Sequence, residues 1–401
     1  MKCSLDHVMA ALGKWKDVNY VPIVIPASFT NELGQIRGLG SQGLPVIAVD
    51  YNAKALGFYS RYSIPYLAAD YTHSADAFID DVLDLGTALR TSGKKGVLFI
   101  AGAEELLPII NRFQSDFSND FMFTSDIELQ LKHEDKWFQI QHASKAGLRA
   151  PETILWNGKT VIGKPESLSY PVVVKGRTGK SFYKQFRMQA RRCDDSNELY
   201  SFLDACADVE CLIQEEIPGP ESNLYTLGCY MSQKREPLGV FTGRKIRNNR
   251  EYGSCAMAIS CEAPDVLREG LKYLKAAGYH GACEIEFKRE ERDGNLTFLE
   301  INNRLWKWHS LATACGVNLA YLQYLDTIGT PIAIPYEAQI YGKRWWLALM
   351  DMWIQMKKAT SNSSHFIEYL KTFRIGAVHG IGSISDPLPC FRNFIGFGWM
   401  L

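Results

Sequence analysis

The sequence predicts an α/β domain followed by an α+β body, and three observations lead to this prediction. The chain has 401 residues, which is long for a single domain. Short apolar runs alternate with segments of helical length over the first 125 residues. Farther along, two acidic strands follow each other closely in a region where a largely antiparallel sheet is predicted. We therefore expect a doubly wound domain, a separate body and a C-terminal appendage.

The composition is that of an ordinary folded protein, and it narrows the classes of function. Apolar residues make up 46% of the chain and charged residues 22%, which excludes intrinsic disorder. Basic and acidic residues number 44 each, so no surface-wide affinity for nucleic acid or anionic membranes is expected. The ten cysteines lack the spacing of a zinc site or a disulfide scaffold. No apolar run reaches the ~20 residues of a membrane span, and we predict a cytoplasmic protein with free thiols.

The first domain, residues 1–125, is predicted from short apolar strands that alternate with helices. Each strand is partly β-branched and is bounded by Gly, Pro or Asp, which is typical of a buried parallel sheet. The predicted strands are 21–26, 44–50 and 96–100, and the predicted helices are 75–90 and 104–113. These elements favour a small doubly wound α/β domain.

One motif in this domain imitates a dinucleotide-binding loop. Gly38-Leu-Gly-Ser-Gln-Gly43 matches the GxGxxG pattern, but it lies a dozen residues after the first strand and directly before the second. In a true dinucleotide site the glycines follow the first strand and open a helix. We interpret them as the end of a helix and a turn.

The body, residues 126–330, is predicted to be α+β, with a smaller lid subdomain at about 168–218. The predicted strands are 170–175, 211–217, 224–232, 237–242, 282–287 and 296–301. Helical patterns cover parts of 125–147, 196–207 and 264–277. A flexible cationic loop is expected up to Gln185. The remaining residues, 331–401, are predicted to be a mainly helical appendage, whose aromatic run at 345–353 packs on the body or, alternatively, lies on a membrane surface.

The strongest chemical signal is a pair of acidic strands. Period-2 alternation places Glu284 and Glu286 on one face of the first strand and aligns Glu300, Asn302 and Arg304 on the second. If the strands pair as a hairpin, the side chains of Glu286, Glu300 and Asn302 converge. Carboxylate and amide oxygens suit Mg²⁺. The alternative is a solvated hairpin with ordinary surface charge.

Clustered cations are the second signal. Lys175 follows three consecutive valines and precedes a donor-rich segment at 176–181, and Arg244, Lys245 and Arg247 follow another predicted strand. Such segments can fold around a polyphosphate. For either cluster alone, surface solubility is the favoured explanation.

Taken together, these residues resemble the ATP-grasp superfamily in order and spacing. The motifs that carry the resemblance are Lys136 in a helix, Lys175 after an apolar strand, Gln214-Glu-Glu-Ile-Pro-Gly219, Glu286, and Glu300-Ile-Asn302. Phe241–Arg247, Tyr252-Gly-Ser254 and Glu300–Arg304 are similar to the carboxylate–amine ligase branch that includes D-aspartate ligases. The resemblance covers about residues 18–330. It implies that the first domain is a pre-ATP-grasp domain and that two subdomains of the body clasp ATP.

The resemblance also implies roles for individual residues. The residues expected to contact ATP phosphates are Lys136, Lys175 and Lys180. Those expected at the adenine are Gln214, Glu215, Glu216 and Ile217, with Glu221 at the ribose hydroxyls. Lys245 and Arg247 would reach the γ-phosphate or an acyl phosphate. The implied magnesium ligands are Glu286, Glu300 and Asn302, and Arg304 would stabilise the anionic intermediate.

The sequence departs from the family pattern near Arg304. Asn303 stands where the family usually has proline, and Trp306, Trp308 and His309 follow where smaller residues are common. The two tryptophans suggest a substrate site walled by rings. For His309, a general base for the amine and a structural histidine are both open.

The resemblance implies a Mg²⁺-dependent ligase, with Mn²⁺ as an alternative ion, that cleaves ATP to ADP and phosphate. It would join a small-molecule carboxylate and an amine, with amino acids as the default substrates, through an acyl phosphate. Three alternatives remain: an ATP-grasp enzyme that phosphorylates another group, an inactive nucleotide-binding protein, and an NAD(P)-dependent enzyme supported only by the GxGxxG loop. A homodimer is left open, and no nucleic-acid partner or membrane span is expected.

Overall fold

The computed structural model describes residues 3–101, 105–332, 339–359, 369 and 376–396. In this part of the chain, three sheets follow one another in sequence. Within the described residues, no helix is long and apolar enough to cross a membrane. All ten cysteines are free thiols, and seven of them are buried.

The first sheet is parallel and has five strands in the order β3-β2-β1-β4-β5. Its strands are β1 Tyr20–Ile25, β2 Val46–Asp50, β3 Ser63–Leu67, β4 Lys95–Ile100 and β5 Phe121–Phe123. The accompanying helices are α1 Leu5–Leu12, α2 Thr30–Gly40, α3 Ala75–Thr91, α4 Leu106–Arg112 and α5 Gln114–Phe117. The reversal of strand order beside β1 is the doubly wound arrangement, so the predicted fold class is confirmed. β3 and β5 had no counterpart in the sequence prediction.

The GxGxxG motif lies at a helix end, as the sequence indicated. Helix α2 runs to Gly40, and Gly43 has φ +80°, a conformation that favours glycine. The segment then enters β2. The motif therefore does not occupy the strand-to-helix position of a dinucleotide loop.

The second sheet has five antiparallel strands in the order β7-β6-β10-β8-β9. Its strands are β6 Thr153–Trp156, β7 Val161–Ile162, β8 Val172–Gly176, β9 Ala190–Cys193 and β10 Cys211–Glu215. Two helices precede it, α6 Ile127–Glu134 and α7 Lys136–Lys145. The sheet starts at Thr153, so it includes two strands that lie before residue 168, where the lid was predicted to begin.

The expected flexible loop after Lys175 is a helix, α8, from Gly179 to Phe186. Phe182 is 1% exposed, and it packs with Phe186 and with Phe202 of helix α9, Ser196–Ala205. This i,i+4 aromatic pair gives the segment an apolar face that covers the lid sheet. The prediction of a loop was wrong because it considered the cations and glycines and overlooked the spacing of the two rings.

The third sheet has seven strands in the order β15-β14-β11-β12-β13-β16-β17. Its strands are β11 Leu224–Met231, β12 Pro237–Asn248, β13 Cys255–Ser260, β14 Gly281–Arg289, β15 Leu296–Asn302, β16 Arg344–Trp346 and β17 Val378–His379. All neighbours are antiparallel except β16 and β17. The associated helices are α10 Pro264–Ala276, α11 Ser310–Ala314 and α12 Leu319–Thr327.

Trp306 and Trp308 pack in the core against one face of this sheet, and each is 1% exposed. Two glycines of the sheet make room for them. A Cβ on Gly228 would lie 1.9 Å from the Trp306 ring, and one on Gly243 would lie 3.0 Å from the Trp308 ring. Gly228 pairs with Glu284 and Gly243 pairs with Thr226, so both rings lie on the same face of the sheet as the acidic residues and are enclosed there. A substrate site walled by these rings remains a prediction.

The C-terminal segment is a strap across both domains. It adds β16 and β17 to the third sheet and continues with helices α13 Ala348–Ala359 and α14 Leu388–Gly396. The aromatic run that was predicted to be helical begins at Trp345, which lies in strand β16. The helix itself starts only at Ala348. At its far end, Asp386 accepts hydrogen bonds from Arg37 and Ser60 of the first domain. The appendage is thus partly a sheet element and joins the two bodies.

Candidate active site

The acidic hairpin pairs in the register that the sequence predicted. Glu286 lies opposite Glu300, and Glu284 lies opposite Asn302, on the antiparallel strands β14 and β15. Residues that face each other in such a pair project from the same side of the sheet. The three implied magnesium ligands therefore share one face.

Two lysines neutralise these carboxylates. The Nζ of Lys245, on β12, lies 2.7 and 2.9 Å from the two carboxylate oxygens of Glu286. The Nζ of Lys136, at the start of α7, lies 2.6 Å from Oε2 of Glu300. Burial disfavours the Lys245 ammonium, but Glu286 and Glu284 outweigh this effect and raise its pKa above the ordinary value. The Lys136 ammonium, assisted by Lys175, lowers the pKa of Glu300 to about 2 against the opposing effect of burial. Glu300 is therefore ionised throughout the neutral range.

Lys175 approaches the same carboxylate from the lid. It is the fourth residue of β8, after the three valines, and it pairs in register with Leu212 of β10. The pKa of Lys175 is lowered to about 8, chiefly by burial; Glu300 opposes this shift and the nearby Lys136 adds to it. The lid edge is also joined to α7, because the Lys136 N–H donates to the carbonyl oxygen of Arg177 at 3.0 Å. The body and the lid thus bring their lysines to one place.

If Lys175 contacts ATP phosphates, as the resemblance implies, ATP binding should weaken as the pH rises through about 8, the pKa of Lys175. Below this pKa the side chain is a cation that attracts phosphate oxygens, and above it the side chain is neutral. In the free enzyme, kcat/KM for ATP should therefore fall with rising pH on the alkaline side. A Lys175→Arg variant keeps its charge and should lose this alkaline limb. An identical pH profile in the two proteins would contradict the assignment.

Glu284 was placed on the acidic face by the sequence but was not assigned a role. It is 3% exposed and accepts hydrogen bonds from Asn302 Nδ2 at 3.0 Å and from Thr226 Oγ1 at 3.2 Å. Burial, together with the adjacent Glu286, raises the pKa of Glu284 to about 8. The period-2 alternation that identified Glu286 was the signal for Glu284 as well.

Arg304 lies just beyond β15, where two small clefts meet. One cleft joins the starts of α7 and α8 to the end of β15, and its lining includes Lys136, Gly179, Asn302 and Arg304. The other lies against the first domain, and its lining includes Gln35, Phe99, Gln130 and Arg304. Arg304 is thus placed between the lysine and carboxylate cluster and the parallel-sheet domain.

The predicted hinge connects the lid to the third sheet. Gln214 is 5% exposed and donates from Nε2 to Thr153 Oγ1 at 2.9 Å. The carboxylate of Glu215 accepts from the Ser169 N–H at 2.9 Å. Ile217 is 8% exposed. These contacts fix side chains of the hinge strand, so any adenine contact at Gln214 or Glu215 would depend on backbone groups.

Glu216 and Glu221 connect the hinge to the loop between β12 and β13. Glu216 accepts hydrogen bonds from Tyr252 Oη at 2.6 Å and from Arg192 Nε at 2.8 Å. Glu221 accepts from the Asn248 N–H at 2.8 Å. The Tyr252 contact was not predicted, although the sequence singled out its motif.

The structure separates Arg247 from the other predicted site residues. Two register irregularities in β12 flank Arg247, which pairs with Met257 while Lys245 pairs with Ala258. Adjacent residues of β13 project to opposite faces, so Lys245 and Arg247 do as well. The guanidinium binds Asp351 of α13, with Nε 2.8 Å from Oδ1 and Nη2 2.5 Å from Oδ2. The described contacts thus engage Arg247 with the C-terminal helix, and a phosphate contact for it remains a prediction.

Two further predicted residues have specific placements. Lys180 lies in α8, and its side chain is outside the described part of the structure. His309 is 2% exposed, and its Nδ1 lies 2.7 Å from the Trp306 carbonyl oxygen. Burial lowers the pKa of His309 to about 4. This placement favours a structural histidine over a general base.

Sequence comparison finds two matches. Residues 256–333 match the family model "Carbamoyl-phosphate synthase L chain, ATP binding domain". The chain is also 22% identical over 281 residues to a D-aspartate ligase of Enterococcus faecium (strain Aus0004). That alignment covers 66% of each protein, so it spans slightly less than two thirds of the ligase.

Both matches are to proteins similar to the ATP-grasp superfamily that the sequence motifs resemble. Solved structures have the same ATP-grasp fold at low identity. The ADP complex of an N5-carboxyaminoimidazole ribonucleotide synthetase has a TM-score of 0.61 and 14% identity, covering 81% of this chain and 80% of that one. A biotin carboxylase beta-gamma-ATP complex from Campylobacter jejuni has a TM-score of 0.62 and 14% identity, with coverages of 82% and 75%. The fold of the chain thus agrees with the fold that the sequence motifs imply.

Proposed function

We propose that the chain is an ATP- and Mg²⁺-dependent ligase that joins a carboxylate to an amine through an acyl phosphate. The observation that carries the proposal is the convergence of cations and acids between lid and body. Lys136 and Lys175 come from opposite sides of this junction, and both act on Glu300. Lys245, on β12, binds the carboxylate of Glu286 on β14. Such a set can bind a polyphosphate and a metal together.

The donor set at the hairpin fits a magnesium ion. Glu286 and Glu300 are opposite each other in register, and Asn302 follows two residues later. Both carboxylates already hold ammonium groups, so positive charge is favourable at their oxygens. Among the described residues, no group of three or more His, Cys, Asp or Glu side chains is placed to hold a metal. Two carboxylates and an amide suit Mg²⁺, which usually takes its other ligands from phosphate and water.

We assign the protein groups to the reaction as follows. The carboxylate of one substrate attacks the γ-phosphorus of ATP, ADP leaves, and an acyl phosphate forms. Lys136, Lys175 and Lys245 would neutralise charge on the phosphates during this transfer. When bound by Glu286, Glu300 and Asn302, Mg²⁺ would supply Lewis-acid stabilisation of phosphate oxygens.

The second step forms the amide. The amine attacks the acyl carbon, the bond from carbon to the phosphate oxygen breaks, and the nitrogen loses a proton. We assign stabilisation of the oxyanion to Arg304, and its position in the lining of both clefts supports this role. We further propose that residues 1–125 form the pre-ATP-grasp domain and 126–330 the ATP-grasp domain, with the lid beginning at β6. Closure of the lid would exclude water, which would otherwise hydrolyse the acyl phosphate.

The test measures ADP release with Mg-ATP over a matrix of carboxylates and amines, with mass detection of products. D-Aspartate is a sensible first amine and carboxylate, because a relative is a D-aspartate ligase. With a carboxylate labelled with ¹⁸O, one label should appear in the released phosphate. A phosphorylated product without amide would favour an enzyme that activates another group. ADP formation that no carboxylate stimulates would refute the ligase.

A further inference from the structure

Glu284 is an extra buried acid beside the proposed metal ligands, and its contacts are specific. It lies directly opposite Asn302 in the hairpin and is 3% exposed. Its Oε2 accepts from Asn302 Nδ2 at 3.0 Å, and its Oε1 accepts from Thr226 Oγ1 at 3.2 Å. Each of its oxygens therefore already has a partner within the sheet.

The contact with Asn302 selects one of two orientations of an amide. An amide has a donor end, Nδ2, and an acceptor end, Oδ1, and only Oδ1 can bind a cation. With Nδ2 directed at Glu284, Oδ1 is the end that remains for the metal. The reversed amide would turn Oδ1 towards Glu284 and away from the metal, and with Glu284 ionised it would place two acceptor oxygens against each other in a buried position, which is unfavourable.

The same contacts argue against Glu284 as a metal ligand itself. Its oxygens are engaged by Asn302 and Thr226, whereas those of Glu286 and Glu300 are held by ammonium groups. In the described parts of the chain, the three glutamates do not form a group placed to hold a metal. Residues that orient metal ligands in this way typically change metal affinity about 10–100-fold when removed.

We propose that Glu284 is a positioning residue that orients the Asn302 amide so that Oδ1 faces the metal. The inference rests on the proposed function, because it requires Asn302 to be a ligand. It assigns to this buried acid a purpose other than filling the sheet. It also predicts that metal affinity depends on a hydrogen-bond acceptor at position 284 and not on the negative charge of Glu284.

The test measures Mn²⁺ affinity of the ATP complex from the electron paramagnetic resonance signal of free Mn²⁺, using the full chain. Glu284→Met removes the acceptor at similar volume and should weaken Mn²⁺ binding about 10–100-fold. Glu284→Gln retains an acceptor for Asn302 Nδ2 and should restore most of the affinity. Thr226→Val removes the other hydrogen bond and should stay within about twofold of the wild type. Thermal unfolding monitored by circular dichroism identifies variants that do not fold.

A second pair of variants tests the idea if Glu284→Met fails to fold. Asn302→Asp places two carboxylates together and should weaken Mn²⁺ binding. Adding Glu284→Gln should restore the binding, because the amide at position 284 then donates to the carboxylate at position 302. Equal losses in Glu284→Gln and Glu284→Met would overturn the inference, since the charge would then matter. No recovery in the double variant would also overturn it. Absence of ATP-dependent Mn²⁺ binding in the wild type would instead refute the proposed function.

Discussion

Replacing Glu300 by alanine is expected to reduce turnover by about 10²- to 10³-fold or more, the loss typical of removing one preorganised electrostatic contact at a reacting group. Glu300 is an implied metal ligand, and it is also the acid that Lys136 and Lys175 share. Its removal leaves two ammonium groups close together without the carboxylate between them. We expect Lys136 and Lys175 to lose the positions in which they bind phosphate. The fold should persist, because a quarter of the Glu300 side chain is exposed. Steady-state ADP release measures the loss.

A second readout distinguishes this role from a general disturbance of the sheet. Glu300 raises the pKa of Lys175, so its loss should move the alkaline limb of ATP binding to lower pH. Glu291→Ala, at an exposed position in the same hairpin, is the matched control and should leave both turnover and the pH profile unchanged. Full activity in Glu300→Ala would show that the metal site has been placed on the wrong residues.

The register of the acidic hairpin was predictable because it depends on local rules. Strand alternation and a short connection determine which residues face each other, so Glu286 and Glu300 could be paired from the sequence. The same alternation failed at Arg247. Irregularities in β12 interrupt the period of two, and a β-bulge has no reliable sequence signal.

Short or mixed elements were missed for a related reason. β3 contains Pro65, and β5 has only three residues, so neither shows a clear strand pattern. Helix α8 was obscured by glycine and lysine residues at its start. Contacts that join distant parts of the chain were also out of reach. Asp351 interrupts an aromatic run, but nothing in the sequence indicates that it binds Arg247.

Substituting Asp386 by alanine is expected to lower the free energy of unfolding by about 3–5 kcal/mol, the cost of breaking a buried ion pair. Asp386 is 1% exposed and accepts hydrogen bonds from Arg37 Nε, Ser60 Oγ and the Arg61 N–H, each at 2.8 Å. These donors belong to the first domain, so the variant also loosens the strap that joins this domain to the third sheet. Urea denaturation measures the change.

The matched control is Asp76→Ala, which removes an ion pair with Arg112 in which both side chains are more than 60% exposed. An exposed pair contributes only about 0–1 kcal/mol, so this variant should unfold almost like the wild type. Adding Arg37→Met to Asp386→Ala should recover only a small part of the loss, because without the Asp386 carboxylate the guanidinium still donates to the carbonyl oxygens of Ile381 and Asp386. Equal unfolding free energies of the Asp386 and Asp76 variants would contradict the claim that the C-terminal segment stabilises the fold through Asp386. If Arg37→Met does not reduce the loss of unfolding free energy, the loss comes from the hydrogen bonds of Ser60 and Arg61 to Asp386. The loop of the first domain that contains these two residues, and not the ion pair, would then hold the C-terminal segment.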